Sequence, residues 1–302
     1  MESEVNDMLA IGSEIKLKGK QYHVESELYD GPFSKVYTIS EGCIQYAMKI
    51  ERTTGSKRPV LKLDALVLKQ LNHQNITAGF PRLIAAGKTT LYKYIIMELV
   101  GPDLQRLRRL IPTKIASQTL KRIEALHDSG WLCRDVKANN FCIGKKNMGL
   151  IYMLDFGFAR RFIRENGTFV ERRNAASLMG TIYYAPLNAH NFSEQCRKDD
   201  LESWFYMIIE MIVGDSPSEF EKIFDIIDQT AFNARPRYRV IHAVINQAMD
   251  RLKIDKTKPF EWQEDPEMLR KITMIDQYDE SDLANKPLQE KKMKNEFSGC
   301  IK

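Results

Sequence analysis

The sequence has 302 residues, of which 43% are hydrophobic and 28% charged, the composition of a globular protein with one large core or two modest ones. A formal net charge of +5 is too weak and too dispersed to indicate a nucleic-acid partner. Five cysteines, an odd number without a Cys-x-x-Cys pair, favour neither a disulfide framework nor a zinc site.

The first segment, residues 1–21, is interpreted as an N-terminal extension. It starts with an acidic run, whereas a secretory signal starts with basic residues followed by apolar ones. Elsewhere, no apolar run approaches the ~20 residues of a membrane span. We therefore expect an intracellular protein of the cytoplasm or the nucleus, without a membrane partner.

Residues 22–50 alternate between short β-rich runs and turns, which predicts a small antiparallel sheet. Alternation along the last run places Ala47 and Lys49 on one face and Met48 and Ile50 on the other. A lone buried lysine is costly, so Lys49 needs an anion as its partner. The alternative is a lysine on an edge strand whose ammonium group reaches water.

Two later segments repeat apolar side chains at helical spacing. In residues 60–71 the acidic Asp64 interrupts an otherwise apolar stripe. The alternative for Asp64 is a position at the rim of that stripe, bonded to water or to a neighbouring lysine. The second helical stripe consists of Ala116, Leu120, Ile123 and His127.

The boundary between two lobes is predicted just after a buried strand at residues 94–97. That strand runs into a turn-prone connector at residues 98–102. We therefore assign residues 22–99 to a first lobe and residues 100–264 to a second. The mostly charged residues 265–302 are interpreted as a tail.

A predicted β-hairpin lies near the middle of the chain. Two short apolar runs, 141–143 and 150–154, flank a polar turn, and closing this hairpin brings Asn140 beside Asp155. Carboxylate and amide oxygens suit Mg²⁺, which takes oxygen ligands and completes its shell with water and phosphate. The sequence therefore predicts a magnesium site at the base of the hairpin.

Two charged residues just before this hairpin fit a phosphoryl-transfer centre. Asp135 can accept the proton of an attacking hydroxyl, and Lys137 can neutralise charge on the transferred group. The alternative is a solvated turn with incidental charges. The matching pieces on both sides of the segment make us favour the transfer centre.

Five short motifs carry a resemblance to the protein kinases. Residues 133–135 with Asn140 resemble the catalytic-loop pattern H-R-D-x-x-x-x-N, with Cys133 in place of histidine, and residues 155–157 read D-F-G. Residues 46–49 resemble the V-A-I-K strand. Within the kinases, residues 97–104 resemble the hinge of the casein kinase 1 family, and residues 185–188 lie between A-P-E and the A-S-I-N of that family. The tau-tubulin kinase branch of that family has a helix sequence similar to residues 60–71.

The resemblance implies a two-lobed α+β protein kinase fold over residues 22–262, with a small antiparallel-sheet lobe and a larger, mainly helical lobe. It implies ATP and Mg²⁺ as cofactors. The implied roles are Asp135 as base, Lys137 on the γ-phosphate, Lys49 on the α- and β-phosphates, and Asn140 and Asp155 on Mg²⁺.

The resemblance also implies a nucleotide pocket. Its residues are Leu28, Gly31, Phe33, Val36, Ala47, Lys49, Asp64, Met97, Glu98 and Val100. Backbone groups of Glu98 and Val100 would meet the adenine edge, and Met97 would line the back of the pocket. A methionine at this place is equally compatible with plain core packing.

Two departures from the kinase pattern concern this pocket. Of three glycines in the phosphate-covering loop only Gly31 remains, and Tyr29 and Ser34 in place of the others should crowd the loop and weaken ATP binding. Asp64 stands where kinases carry a glutamate that pairs with the strand lysine. Because aspartate is shorter by about 1.5 Å, the pair with Lys49 forms only if the helix lies closer to the sheet, which is the arrangement we favour.

Other departures lie in the second lobe. The connection near residues 110–113 is short, and residues 214–220 resemble a segment that comes later in the family, so some tens of residues are missing there. Either the lobe is trimmed or the reading frame was assembled wrongly. A helix from Asp199, with aspartate as its N-cap, resembles the central helix of the large lobe and directs Asp200 at the catalytic-loop backbone.

We expect an ATP-dependent protein serine/threonine kinase of the casein kinase 1 type, acting as a monomer on protein substrates. The arginines of the segment after residue 155 suit acidic or already phosphorylated substrates, or else form a solvated basic loop: Arg160, Arg161, Arg164, Arg172 and Arg173. The alternative function is a catalytically weak pseudokinase that serves as a nucleotide-binding or scaffold module.

Overall fold

The computed structural model describes residues 9–53, 60–107, 112–164, 166–212 and 217–264, together with 266, 269 and 270. The first lobe is an antiparallel sheet in the order β1-β2-β3-β4-β6-β5, with helix α1 against it. Its elements are β1 (Glu14–Leu17), β2 (Lys20–Asp30), β3 (Lys35–Glu41), β4 (Ile44–Arg52), α1 (Leu61–His73), β5 (Leu83–Lys88) and β6 (Tyr92–Glu98).

The sheet begins earlier than the predicted lobe boundary at residue 22. Strand β1 lies within the segment interpreted as an extension and pairs with β2, and Gly19, with a φ of 82°, lies in the turn between them. The side chain of Leu17 is buried in the same apolar cluster as Tyr22 and Val24. This burial gives the N-terminal segment a reason to join the sheet.

The alternation predicted for β4 is confirmed. Met48 and Ile50 are buried in an apolar cluster on one face of the sheet. Ala47 belongs to the large core cluster that includes α1 and continues into the second lobe. Lys49 is therefore on the face that looks toward the second lobe, as the sequence predicts.

The second lobe is mainly helical, with two small two-stranded sheets, β7 with β10 and β8 with β9. Its elements are α2 (Pro112–Asp128), β7 (Trp131–Leu132), β8 (Phe141–Ile143), β9 (Ile151–Met153), β10 (Arg160–Arg161), α3 (Leu187–His190), α4 (Arg197–Met211), α5 (Glu219–Asp228), α6 (Tyr238–Arg251) and α7 (Glu261–Glu264). The predicted hairpin is the β8–β9 pair. The α+β kinase architecture expected from the sequence is confirmed.

Helix α4 is the centre of the second lobe. Its Trp204 is fully buried and donates from Nε1 to the Thr119 hydroxyl of α2 at 2.9 Å. The predicted N-cap at Asp199 is wrong, because the helix begins at Arg197 after Cys196. Asp199 instead accepts the Cys196 backbone N–H at 2.6 Å from inside the first turn, which is the capping-box arrangement.

Several predictions fall on residues outside the described part. These are residues 110 and 111 of the short connection, residues 214–216, and the tail from residue 271 onward. Within the described part, no helix is both long and apolar enough to cross a membrane.

Candidate active site

The catalytic loop, between β7 and β8, is held by a carboxylate from α4. Asp200 accepts the backbone N–H groups of Cys133 and Arg134, each at 2.7 Å, which confirms the role predicted for it. Arg134 has a φ of 64°, in the left-handed region that side chains other than glycine rarely adopt. The two bonds from Asp200 hold that conformation in place.

A buried side-chain network supports this carboxylate. His127 of α2 lies 2.8 Å from Asp200 through Nε2, so Nε2 carries the proton. The other ring nitrogen, Nδ1, is hydrogen-bonded to the hydroxyl of Tyr238 on α6. Cys133 is fully buried, and burial raises the pKa of its thiol well above the ordinary range, so Cys133 fills space as an uncharged group.

Asp135 of the catalytic loop is buried, and both of its carboxylate oxygens have hydrogen-bond partners. Oδ1 accepts from the Thr181 backbone N–H at 2.7 Å and from the Thr181 hydroxyl at 2.8 Å. Oδ2 lies 2.9 Å from the Lys137 ammonium, which also donates to the Thr181 hydroxyl at 2.8 Å. The base, the predicted lysine and Thr181 form one closed cluster.

Thr181 was not assigned a role from the sequence. It reaches the base because Gly180, with a φ of 87°, lies directly against the Arg134 carbonyl, where any Cβ would collide with that oxygen. A glycine followed by a hydroxyl residue in the segment after residue 155 was the available signal. A single sequence gives no distance between that segment and Asp135.

The two predicted magnesium ligands lie next to each other. The Leu154 backbone N–H donates to the Asn140 carbonyl at 2.8 Å, which sets Asp155 beside Asn140. The Asn140 amide nitrogen donates to the Asp135 carbonyl at 2.8 Å, so its side-chain oxygen faces away from that bond. One carboxylate and one amide oxygen fit Mg²⁺, which is held by few protein ligands together with nucleotide phosphates.

Lys49 is 6% exposed and lies between two carboxylates. Its Nζ is 2.8 Å from Asp64 Oδ2 and 2.9 Å from Asp155 Oδ1. Burial alone lowers the pKa of Lys49, but these two carboxylates outweigh burial and raise the pKa above its ordinary value. The predicted contact between Lys49 and Asp64 is confirmed, and the position of Asp64 at a solvated rim is excluded.

Asp64 is 2% exposed and also accepts the Phe156 backbone N–H at 2.6 Å. Its pKa is raised by burial and by the Asp155 carboxylate, since one ammonium serves both acids. Lys49 in turn holds the pKa of Asp155 below its ordinary value, although burial acts in the opposite direction. Asp64 thus ties α1 both to β4 and to the D-F-G segment.

The start of α1 is bonded to the sheet, which suits the short side chain of Asp64. The first residue of α1, Leu61, donates its backbone N–H at 3.0 Å to Glu51, a fully buried residue of β4. Glu51 is balanced by Lys93 of β6 at 3.0 Å. This bond attaches the start of the helix to the sheet, and sequence reasoning did not find it.

The walls of the predicted nucleotide pocket come from facing strands. Ala47 of β4 is paired with Met97 of β6, and both side chains are buried. Val36 of β3 is paired with Lys49 of β4. Among the described residues the Val100 N–H has no backbone acceptor, which fits its predicted contact with adenine.

The loop between β2 and β3 is crowded, as the sequence predicts. The Tyr29 ring lies against Gly31, in the space that a Cβ there would need. Phe33 reaches across to Phe158, with ring centroids 6.2 Å apart and the rings nearly perpendicular. Leu28, of the predicted pocket, is half-buried in β2. The space beside Gly31 is therefore filled by the Tyr29 ring.

The arginines after residue 155 are largely engaged within the protein. Arg160 lies 3.1 Å and Arg173 3.0 Å from the buried carboxylate of Glu194. Arg172 lies over the ring of Phe232 at 4.6 Å. Arg161 and Arg164 donate to the backbone carbonyls of Ile163 and Phe169.

A two-lobed fold with this constellation defines a phosphotransferase of the protein kinase class. The chain belongs to the protein kinase domain family, whose sequence model matches residues 22–288 and so runs past residue 264, at which we placed the end of the second lobe.

Three relatives have kinase names. The chain is 39% identical over 322 residues to serine/threonine-protein kinase spe-6 of Caenorhabditis elegans, with 91% of this chain and 84% of that protein covered. It is 30% identical over 290 residues to a probable serine/threonine-protein kinase of Dictyostelium discoideum (82% and 57% covered) and 35% identical over 181 residues to a putative one of C. elegans (56% and 55% covered). The chain thus spans little over half of the last two proteins.

The alignment with spe-6 bears on the expected missing segments. It is 322 residues long, more than the whole of this 302-residue chain. Within the aligned region spe-6 therefore has residues without a counterpart here.

Proposed function

We propose that this chain is an ATP-dependent protein serine/threonine kinase of the casein kinase 1-like type. The observation that carries the proposal is the closed cluster of Asp135, Lys137 and Thr181 beside the Lys49–Asp64 pair. Both the catalytic group and the strand-to-helix ion pair that an active kinase needs are in place. The names of the three relatives support serine/threonine specificity, and residues 97–104 and 185–188 support the casein kinase 1-like subtype.

Each residue of the site has a proposed role in phosphate transfer. Asp135 accepts the proton of the substrate hydroxyl, and Thr181 fixes the orientation of its carboxylate. Lys137 neutralises charge on the transferred group, and Lys49 binds the α- and β-phosphates. Asn140 and Asp155 would hold Mg²⁺, which supplies charge neutralisation on the phosphates. Because the reaction consumes ATP, we propose that the protein acts inside the cell, as a monomer on protein substrates.

The test is the substitution Asp135→Asn, assayed by radiolabelled phosphate transfer from Mg-ATP to dephosphorylated casein. We expect transfer to fall by at least about a hundredfold, since general-base catalysis contributes 10²–10⁴-fold. Mg-ATP should still raise the unfolding temperature of the variant as it does for the parent protein. Equal transfer rates in the two proteins would show that Asp135 is not the base.

A second candidate is a pseudokinase that serves as a scaffold. The observation that favours it is the Tyr29 ring over Gly31, at the loop where phosphate should approach the backbone. Nucleotide binding separates the two functions, because a ligand at 100 times its Kd adds about 2.7 kcal/mol to stability. Absence of any thermal shift with millimolar Mg-ATP would favour the scaffold.

A further inference from the structure

A cavity in the second lobe lies between the chain after β10 and the start of α4. Its volume is about 370 Å³, including the part that is open to solvent. The cavity is lined by Phe162 and Phe169 from the chain after β10, by Cys196 and Arg197 at the start of α4, and by Phe232 from the chain between α5 and α6. None of the residues to which we assign a role in phosphate transfer lines it. We call it the Arg197 cavity.

Arg197 is a buried cation without an acidic partner. The residue is 7% exposed, and its Nη2 donates to the Asn233 carbonyl at 2.7 Å. Its Nε is buried without a hydrogen-bond partner, and no carboxylate of a described residue forms an ion pair with it. Burial lowers the pKa of Arg197, but a guanidinium keeps its charge in a protein. Because a buried charge is costly unless it is paired, Arg197 requires an anion.

Aromatic rings hold this guanidinium in place. Its Cζ lies 4.8 Å from the centroid of the Phe162 ring and 5.8 Å from that of Phe169. Phe162 is itself fixed, because its N–H donates to the Gly130 carbonyl at 3.0 Å and its ring packs edge-on against His127. A ring face attracts a cation but does not supply the strong acceptor that a guanidinium N–H needs. The wall is therefore preorganised for a ligand that supplies that acceptor.

The other charges of the lining do not cancel Arg197. Two glutamates and two further arginines belong to the lining: Glu171, Glu194, Arg160 and Arg172. Two guanidiniums share the carboxylate of Glu194, since it pairs with Arg173 as well as with Arg160. Glu171 and Arg172 carry opposite charges and are both exposed. An excess of one positive charge therefore remains at the lining, and Arg197 is the buried group that carries it.

This lining fits a small aromatic carboxylate. Ligand sites are mostly apolar, with a few polar groups that orient the ligand, and have volumes of about 300–1,000 Å³. A carboxylate forks onto a guanidinium with charge-assisted hydrogen bonds, and an aromatic body packs well against phenylalanine rings. A carboxylate also carries one negative charge, which balances the single excess positive charge. A phosphate monoester carries about two at neutral pH.

We propose that the Arg197 cavity is a binding site for a small aromatic carboxylate. The acid group pairs with Arg197, and the ring packs among Phe162, Phe169 and Phe232. This inference goes beyond the proposed kinase function and does not depend on it.

The experiment is a ligand-observed NMR titration of the full chain with phenylacetate and with phenylacetamide, its neutral isostere. We expect the Kd of phenylacetate to be at least about tenfold lower, because hydrogen bonds between charged groups are stronger than those of a neutral amide. Arg197→Met should remove this difference, since methionine keeps an apolar stem against the rings without the charge. Arg237→Met is the matched control, because Arg237 is exposed and does not line the cavity, and the difference should remain.

A second variant keeps the proposal testable if Arg197→Met fails to fold. Phe169 is 44% exposed, so Phe169→Ala changes the lining without opening the core. It should weaken phenylacetate and phenylacetamide by the same factor and keep their ratio. An unchanged Kd for phenylacetate in Phe169→Ala would overturn the proposal.

Three other outcomes overturn the inference. The first is equal affinity of the parent protein for the acid and the amide, or no binding of either at millimolar concentration. The second is inorganic phosphate that binds as tightly as phenylacetate and loses its affinity in Arg197→Met, which would assign the cavity to phosphate groups. The third is displacement of phenylacetate by Mg-ATP, which would place it in the nucleotide pocket. Each of these outcomes leaves transfer of phosphate to casein untouched.

Discussion

The substitution Asp64→Glu tests whether the first lobe is built for the shorter acid. Asp64 is 2% exposed and already at hydrogen-bond distance from two groups, 2.8 Å from Lys49 and 2.6 Å from the Phe156 N–H. The extra methylene adds about 1.5 Å to the side chain. No slack remains along either bond, so α1 or the D-F-G segment must move outward.

The cost follows from overpacking. One added methylene in a filled site costs about 1–3 kcal/mol of folding stability. Part of that strain is relieved by shifting Lys49, and each 1.36 kcal/mol of transition-state stabilisation lost by such a shift is a tenfold rate loss. We therefore expect kcat/KM for phosphate transfer to casein to fall by about tenfold. The KM for ATP should rise as well, because Lys49 is displaced from the place where it meets the nucleotide.

Two further variants sharpen this test. Asp225→Glu makes the same chemical change at an exposed position of α5 and should leave kcat/KM unchanged. Glu51→Ala removes the acceptor of the Leu61 N–H and frees the start of α1. In that background Asp64→Glu should cost less than in the parent protein, a non-additivity that a double-mutant cycle measures. A gain of activity in Asp64→Glu with Glu51 intact would refute the reasoning.

Two other predictions concern Thr181 and the contact between α5 and α6. Thr181→Ala should lower kcat by about a hundredfold, which is the effect of a small misplacement of a catalytic group. Thr181→Ser should keep most of the parent kcat, because the hydroxyl is kept. An unchanged kcat in the alanine variant would contradict the proposed role of Thr181 in orienting Asp135. Arg251 donates to both oxygens of Glu219 and lowers the pKa of that carboxyl to about 2. Because the folded pKa is depressed, the stabilisation is present above the unfolded pKa of about 4.5 and is lost as the pH falls toward 2. Glu219→Gln should therefore lower Tm by about 2 °C at pH 7 and have no effect near pH 2, and a constant difference across this range would count against the ion pair.

The catalytic residues were predictable from the sequence because they are local. Asp135, Lys137, Asn140 and Asp155 lie within one loop and one hairpin, and strand pairing alone brings the last two together. Motif spacing therefore carries most of the geometry. The sequence left two positions open for Asp64, one paired with Lys49 and one at a solvated rim. The burial of both side chains shows that they are paired.

The residues that sequence reasoning missed act between distant segments. Glu51 is 10 positions from Leu61, and Thr181 is 46 from Asp135, and neither follows from periodicity. Strand β1 was not predicted because it is only four residues long. It is held in the sheet by the burial of Leu17 in the neighbouring apolar cluster. The N-cap of α4 was misplaced because an acidic residue is equally suited to the cap and to the third position of a capping box.

The bonds from Asp200 to the catalytic loop also determine how that loop fluctuates. Cys133 and Arg134 donate their amides to a carboxylate on α4, the helix whose side chains fill the centre of the second lobe. Local openings of a native protein occur in cooperative units, and these two bonds lead us to expect that the loop and α4 open together. We therefore expect the amide protons of Cys133 and Arg134 to exchange with solvent as slowly as those in the middle of α4. The catalytic loop should then keep its conformation for as long as the second lobe stays folded.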